Sequence, residues 1–183
     1  MDSHLDPRLL DPRLKELQET LCEAMAGLSA EELAWHPPGK WCIEEMLEHL
    51  YLTYTGTIKG FTRVLEAGKP LAAPTATVKQ RVRLLVVVGL GHMPKGRKAP
   101  PMTVPRGLTG AKVREEIGAK IAEMDAIIGR CDTELGEGRF CGHAMLDHPV
   151  LGPLTARQWR KFHLVHGMHH VKQIRRLREA RGR

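Results

Sequence analysis

The chain has 183 residues, enough to bury a substantial core, and it is most simply one domain spanning residues 1–183. Hydrophobic residues make up 42% and charged residues 27%, which excludes an intrinsically disordered chain. Aromatic residues make up only 4%, so aliphatic side chains must fill the core, and helices are favoured over strands. The net charge of +7 permits contact with nucleic acid or acidic ligands but specifies neither.

The first residues and the cysteines predict a reduced, cytoplasmic protein without a membrane partner. The N-terminal residues are acidic and lack the apolar core of a secretory signal. The longest apolar run, Leu84 to Val88, is far too short to cross a bilayer. Because no C-x-x-C pair occurs, we expect free structural thiols at Cys22, Cys42, Cys131 and Cys141.

Hydrophobic spacing predicts two long helices in the first half of the chain. The first runs from about Pro12 to Leu28, where apolar residues recur at helical intervals. The second runs from about Cys42 to Ala67 and is followed by a Gly-Lys-Pro sequence. His49 lies in the middle of this second helix, on the same side as Gly56 and Gly60. These glycines would admit a closely packed helix or leave space in front of the histidine.

The middle of the chain leaves two alternatives open. The run Leu84–Val88 has the composition of a buried strand, but we favour a short helix over residues 78–90 because no partner strand is evident. The loop from Gly89 to Gly107 either covers a site or forms a surface excursion. If it covers a site, its charge could attract an anionic substrate or thiol cofactor. Its basic residues are Lys95, Arg97, Lys98 and Arg106.

Two more long helices complete the predicted fold. Thr109 opens the third helix, which ends near Cys131, and Thr155 caps the fourth, which continues to about Ala180. The stretch between them is rich in glycine and is expected to be irregular. Together these elements predict an all-α protein, a four-helix bundle with long connecting loops and a short extra helix.

The last predicted helix carries four histidines within the segment Phe162–His170. His166 and His170 lie one turn apart on its apolar, core-facing stripe. A pair placed in this way is either a hydrogen-bonded part of the core or half of a metal site. His49 is the candidate third ligand, because it lies mid-helix among leucines and bundles build metal sites from inward side chains on facing helices.

Two segments of the sequence resemble one known superfamily. Trp41–Leu50 resembles the W-x-x-x-E-x-x-x-H-L segment of the DinB-like (DinB/YfiT-like) metalloenzymes, which are four-helix bundles. Leu151–Trp159, together with His166-x-x-x-His170 and Gln173, resembles their last-helix segment. The two segments belong to both ends of the predicted core, so the resemblance spans most of the chain.

The resemblance implies a divalent metal ion, zinc or nickel, held by His49, His166 and His170 with at least one open coordination position. The implied activity is that of a metal-dependent hydrolase using metal-activated water, or of a thiol S-transferase using a metal-bound thiolate. The implied partners are a small-molecule substrate, a low-molecular-weight thiol in the transferase version, and a second copy of the chain in a homodimer. The metal, the substrate and the reaction are left open.

Three other polar side chains are candidates for supporting the ligands, while the catalytic groups themselves stay unknown. Glu45, one turn before His49, could accept the second N–H of that imidazole or be an ordinary helix carboxylate. Gln173 could do similar work or bond the backbone. His163 could hydrogen-bond a ligand, replace one, or belong to the core, and His169 is expected to pack against another helix.

Two other classes of function compete with an enzyme. The first is a non-catalytic, stress-related bundle protein that binds a metal or ligand, because no second catalytic group is unambiguous. The second is nucleic-acid binding by the arginines near the C-terminus, which is disfavoured because no recognition motif or aromatic stacking platform accompanies them.

Overall fold

The structure, a computed structural model, describes residues 10–94, 96, 98–108, 110–136 and 142–182. It is predominantly helical, as the composition predicts. Its α-helices are, in chain order, α1 (Pro12–Met25), α2 (Ala30–Ala34), α3 (Ile43–Ala67), α4 (Val78–Leu84), α5 (Gly110–Gly136) and α6 (Ala156–Arg181). None of these helices, in the part of the chain that is described, combines the length and the apolar character that a bilayer crossing needs.

The long helices associate in two pairs. α3 packs along α5, and α1 packs along α6, while contacts of α5 with α1 and α6 join the pairs. Aliphatic side chains from all four fill the interior, including the fully buried Leu17, Leu47, Ile121 and Ile174. α3 and α6 have little direct contact with each other, and both line the large cavity that contains the predicted site.

Side-chain caps define where the helices begin. At α3, the Cys42 Sγ accepts the backbone N–H of Glu45, and the Glu45 carboxylate accepts the backbone N–H of Cys42. Thr155 caps α6 as predicted, in the same reciprocal arrangement with Gln158. These bonds satisfy N–H groups that have no partner within the helix. The predicted helix start at Thr109 lies outside the described residues.

A buried carboxylate joins three of the long helices. Asp125 on α5 is only 2% exposed and accepts the Nε–H of Arg160 on α6 at 2.6 Å. Its second oxygen accepts the backbone N–H of Asp11, the residue that caps α1, also at 2.6 Å. A charge in the core is tolerated when it is paired and hydrogen-bonded in this way. The network therefore fixes the start of α1 against α5 and α6.

The middle of the chain follows the helical alternative. α4 continues into a π-helical turn, Leu85–Gly89, in which only Val87 and Val88 are buried. The following loop contains a 3₁₀ turn, Pro101–Thr103, that contacts α3. The 3₁₀ turn of this loop therefore packs on the helix that carries His49, while several of its other described residues are exposed.

The expectation of an irregular stretch before α6 was wrong in one part. A small antiparallel hairpin forms there, in which β1 (Leu146–His148) pairs with β2 (Gly152–Leu154). The Nε1–H of Trp159 donates to the carbonyl of Leu146 at 3.1 Å and fastens the hairpin to α6. Strands of three residues are too short to show the alternation by which a strand is recognised in a sequence.

Three glycines within helices differ in what a side chain at their position would meet. A Cβ at Gly167 would overlap the side chain of Leu17, so this glycine lets α1 approach α6. A Cβ at Gly60 would overlap Leu146, so this glycine admits the hairpin, where the sequence suggested a helix. A Cβ at Gly56 would meet no atom within 4 Å. Gly56 therefore leaves open space on the side of α3 that carries His49.

Alanine at two of these glycines should change stability in opposite directions. Gly167→Ala should lower the free energy of unfolding by about 1–3 kcal/mol, because the buried Leu17 side chain would have to move. Gly56→Ala should raise it by about 0.5–1 kcal/mol, because alanine loses less backbone entropy than glycine in a helix. Urea unfolding measures both changes, and a Gly167→Ala variant as stable as the parent would contradict this packing.

Candidate metal centre

The structure brings the three histidines singled out by the sequence to one point. His49 projects from α3, and His166 and His170 project from successive turns of α6. The Nε2 of His166 lies 3.1 Å from the Nε2 of His49 and 3.2 Å from the Nε2 of His170. Each ring offers a ligand atom, and all three atoms lie within 4.8 Å of one another. The group could therefore hold a metal ion.

A backbone carbonyl decides which nitrogen of His49 carries the proton. The Nδ1 of His49 lies 2.7 Å from the carbonyl oxygen of Thr103, in the 3₁₀ turn. Because a carbonyl can only accept, Nδ1 donates, and the Nε2 of the neutral ring must carry a lone pair. That lone pair belongs to the nitrogen that contacts His166.

The two short nitrogen–nitrogen contacts cannot both be good hydrogen bonds between neutral rings. If the Nε2 of His166 is protonated, it has one proton for two neighbours; if it is not, its lone pair faces that of His49. A shared cation removes this conflict. Two nitrogens bound to a tetrahedral zinc ion at about 2.0–2.1 Å lie about 3.3 Å apart. Two of the three separations, 3.1 and 3.2 Å, are close to that value, and the third pair lies within 4.8 Å.

Burial keeps these imidazoles neutral near physiological pH. Desolvation lowers the pKa of His49, and it lowers the pKa of His166 well below the usual value, with a further contribution from the neighbouring His170. Desolvation, followed by the nearby His49, lowers the pKa of His170 to about 3. The neutral ring is the form that binds a metal ion, so these ligands need not release a proton near pH 7.

A buried carboxylate holds the loop that supplies the Thr103 carbonyl. Glu48, adjacent to His49, is 2% exposed. Its oxygens accept three backbone N–H groups of the loop at 2.6, 3.1 and 3.2 Å, those of Arg106, Gly107 and Leu108. The loop is thereby anchored to α3 a few residues after Thr103.

Glu45 does not have the role that its position suggested. Its carboxylate caps α3, and the Nδ1–H of His49 donates to the Thr103 carbonyl instead. Sequence reasoning missed both Thr103 and Glu48. An acidic residue among apolar neighbours is the one sequence signal for Glu48, and a backbone carbonyl leaves no signal at all.

The other candidate side chains divide between the core and the site. His163 is fully buried, and its Nε2 lies 3.1 Å from the Thr57 hydroxyl, so it belongs to the core and not to the ligand group. Gln173 lies beside His170 and raises the pKa of that ring against the larger effect of burial. His169 borders the cavity beside His170. Gln173 also lines the cavity, and its supporting role stays a prediction.

A cavity of about 1330 Å³ opens in front of the three histidines, all of which line it. Described residues of the 89–107 loop form part of its wall, so the described part of this loop borders the site. Of the basic residues singled out in the loop, Lys98 and Arg106 line the cavity, while Lys95 and Arg97 lie outside the described residues.

His148 shapes the hairpin that leads into α6. Its Nδ1 accepts the backbone N–H groups of Val150 and Leu151, both at 3.1 Å. Desolvation lowers the pKa of His148 to about 4. The ring is therefore neutral near pH 7, and protonation of Nδ1 would break both bonds to the turn.

Comparison with known proteins places the chain in a family. Residues 8–177 match the family model described as "Protein of unknown function (DUF1569)". The chain belongs to this family. The DUF1569 chain is 27% identical over 158 residues to "Uncharacterized protein YuaE" of Bacillus subtilis (strain 168), and the match covers 85% of this chain and 88% of the relative. No solved structure matches it significantly.

Replacing Glu48 by glutamine should loosen the loop. Glu48→Gln exchanges a carboxylate for an amide with one accepting oxygen, which weakens charge-assisted bonds to the loop and should lower the free energy of unfolding by about 1–3 kcal/mol. Amide hydrogen exchange should accelerate over residues 103–108. Glu66→Gln, at an exposed position of the same helix, is the control and should change neither property. Unchanged exchange in Glu48→Gln would show that the carboxylate does not anchor the loop.

The metal-free protein should lose stability as the pH falls below about 6.5. The pKa of His148 is about 4 in the folded protein against an ordinary value of 6.5, so unfolding takes up a proton between these values. The contribution of His148 to stability should therefore be lost through this window, and the other buried imidazoles, such as His170 with a pKa of about 3, extend the decline to lower pH. His148→Asn, whose side-chain oxygen can replace Nδ1 as the acceptor, should flatten part of the decline in urea unfolding. The exposed His92→Asn should leave it unchanged, and equal curves for both variants would count against this assignment.

Proposed function

We propose that this DUF1569 protein is a metal-dependent enzyme that acts on a small molecule. The observation that carries the proposal is the convergence of three Nε2 atoms, one of which has its lone pair set by the Thr103 carbonyl. We also propose that the fold is a four-helix bundle of the DinB-like type, supported by the packing of α1, α3, α5 and α6 around one core. The cytoplasmic location and the homodimer stay predictions.

The residues of this chain would hold the metal ion as neutral, restrained ligands. His49, His166 and His170 would bind it through Nε2. The Thr103 carbonyl restrains the ring of His49, and Phe162 stacks on His166 with ring centroids 5.3 Å apart and 17° between the planes. Rings held in this way need little reorganisation when an ion binds.

The ion, zinc or nickel in this proposal, would act as a Lewis acid. It would act on a water molecule in the hydrolase version and on a thiol in the S-transferase version. The cavity contributes an apolar surface around the histidines, from side chains such as Trp41, Met46 and Val86. Such walls orient the apolar part of a substrate and limit the access of bulk water. Gln173 and His169 line the same cavity and offer hydrogen-bonding groups near the ligands.

One observation favours the alternative of a non-catalytic, stress-related protein that binds a metal or ligand. Among the described residues that line the cavity, the one carboxylate is that of Asp147. Both of its oxygens lie 3.1 Å from the backbone nitrogen of Ala73, whose N–H they accept. The described lining therefore offers a single carboxylate for general acid–base catalysis, and that carboxylate already accepts a backbone N–H. Full metal occupancy without turnover would be the signature of this alternative.

Metal content tests the ligand assignment directly. The purified protein should contain about one equivalent of zinc or nickel, because three imidazoles and an open position suit such an ion. His49→Ala and His166→Ala should each lose it, whereas His169→Gln, which changes a neighbouring ring outside the group, should retain it. Elemental analysis measures the metal, and circular dichroism checks that each variant is folded. Metal retained by both alanine variants would refute the site.

Turnover assays separate the enzyme from the binding protein. The metal-loaded protein would be assayed against thiol acceptors and against ester and amide libraries. Activity that disappears on chelation and in His166→Ala would support the enzyme. Inactivity across all classes at full metal occupancy would favour the alternative.

A further inference from the structure

The charged side chains that line the cavity are predominantly positive. The whole chain has 28 basic and 21 acidic residues, a moderate excess. Among its described residues, the cavity lining has one carboxylate, that of Asp147, which is already bonded to the backbone. Its lysines and arginines are Lys40, Lys59, Arg63, Arg83, Lys98 and Arg106. This imbalance is local to the cavity and is not a consequence of the overall composition.

These cations are not neutralised by the described part of the protein. Within the described ranges, no ion pair joins any of the six to a carboxylate. Basic residues elsewhere are paired, such as Lys120 with Glu123 and Arg130 with Glu134. A concave, largely apolar surface lined by charges of one sign concentrates the electrostatic field and attracts ions of the opposite sign.

One face of α3 joins the histidines to two of these cations. Along this face, His49 is followed by Gly56, Lys59 and Arg63, all of which line the cavity. At 1.5 Å per residue, Lys59 and Arg63 lie about 15 and 21 Å along the helix from His49. Gly56 lies between His49 and these cations, and a Cβ at this position would meet no atom within 4 Å. Leu146 covers the next glycine and adds an apolar wall.

We propose that the cavity binds an elongated small molecule with an apolar body and an anionic group at one end. The anionic group, a carboxylate, sulfonate or phosphate, binds between Lys59 and Arg63, and the apolar body lies over Gly56. The opposite end of a molecule on the order of 15 Å long then reaches the histidine group. The assignment of that end as the reacting one rests on the proposed function, whereas the binding of the anion does not.

Two matched fluorescent probes test the proposal. 1-Anilinonaphthalene-8-sulfonate carries an apolar body and one anionic group, and N-phenyl-1-naphthylamine has the same body without the charge. Lys59→Ala combined with Arg63→Ala should lower the affinity for the sulfonate probe by about fivefold or more and the affinity for the neutral probe by less than about twofold. The difference is expected because only the sulfonate probe loses a charge interaction. Fluorescence titration of the full-length protein measures both affinities.

The control is a double variant with the same charge change and spacing elsewhere. Lys172→Ala combined with Arg176→Ala removes an exposed lysine and arginine one turn apart on α6, at positions that do not line the cavity. This control should lower the affinity for neither probe by more than about twofold. If the control weakens the sulfonate probe as much as the Lys59 and Arg63 variant does, the effect is one of net charge and the proposal is overturned.

A third variant tests where the apolar body lies. Gly56→Leu adds a side chain at a position where a Cβ meets no atom within 4 Å. It should weaken the binding of both probes by about tenfold while the metal content stays unchanged. Unchanged affinity for both probes in this variant would refute the location.

The histidines separate this proposal from the enzyme proposal. His166→Ala should lose metal and still bind the sulfonate probe. If it loses the probe as well, the anion binds at the metal and the inference is wrong, while the metal centre stands. If the parent contains no metal but the charge effect at Lys59 and Arg63 appears, the proposed enzyme fails and the anion site stands.

Discussion

The bond between the Thr103 carbonyl and the Nδ1 of His49 is the interaction on which the chemistry of this site depends. It removes one of the two tautomers of a neutral imidazole and directs a lone pair to the point where His166 and His170 also place a nitrogen. Two nitrogen–nitrogen contacts near 3 Å then compete for too few protons. A buried arrangement of this kind is satisfied by a cation far better than by the rings themselves.

Much of the surrounding structure restrains the elements that carry these rings. Glu48 anchors the loop that carries Thr103 through three backbone N–H groups, so the carbonyl is tied to the same helix as the ring it bonds. On the other side, Gly167 lets α1 approach the helix that carries His166 and His170. Asp125 then joins α1, α5 and α6. The site is thereby placed on long, packed helices and not on free loops, which suits ligands that need fixed geometry.

α3 serves two regions of one cavity. Its first half bears His49 and the carboxylate that anchors the loop, and its second half bears Lys59 and Arg63, which form no ion pair with a carboxylate of the described residues. Gly56 leaves the space between these regions open, while Gly60 is required by the close approach of the hairpin. The two glycines lie one turn apart on the same helix, yet packing against the hairpin explains only Gly60. The open position is what connects the histidines with the basic part of the cavity.

The sequence by itself determined the features that depend on local spacing and local capping. The long helices, the Thr155 cap and the choice of helix over strand for residues 78–90 follow from hydrophobic period and short-range hydrogen bonding. The one-turn spacing of His166 and His170 is also a local property, and His49 could be singled out because it stands among apolar neighbours. Glu45 shows the limit of such reasoning, since its spacing suited both a cap and a partner for His49.

Tertiary structure alone decided the remaining features, because they join atoms that are distant in the sequence and of types that carry no pattern. The Thr103 carbonyl is a backbone atom 54 residues from His49, and every residue has one. Glu48 meets N–H groups that follow it by 58 to 60 residues. Three-residue strands and cations from α3, α4 and the loop converge only once the helices have packed. Periodicity shows which face of a helix is buried, but it does not show what that face meets.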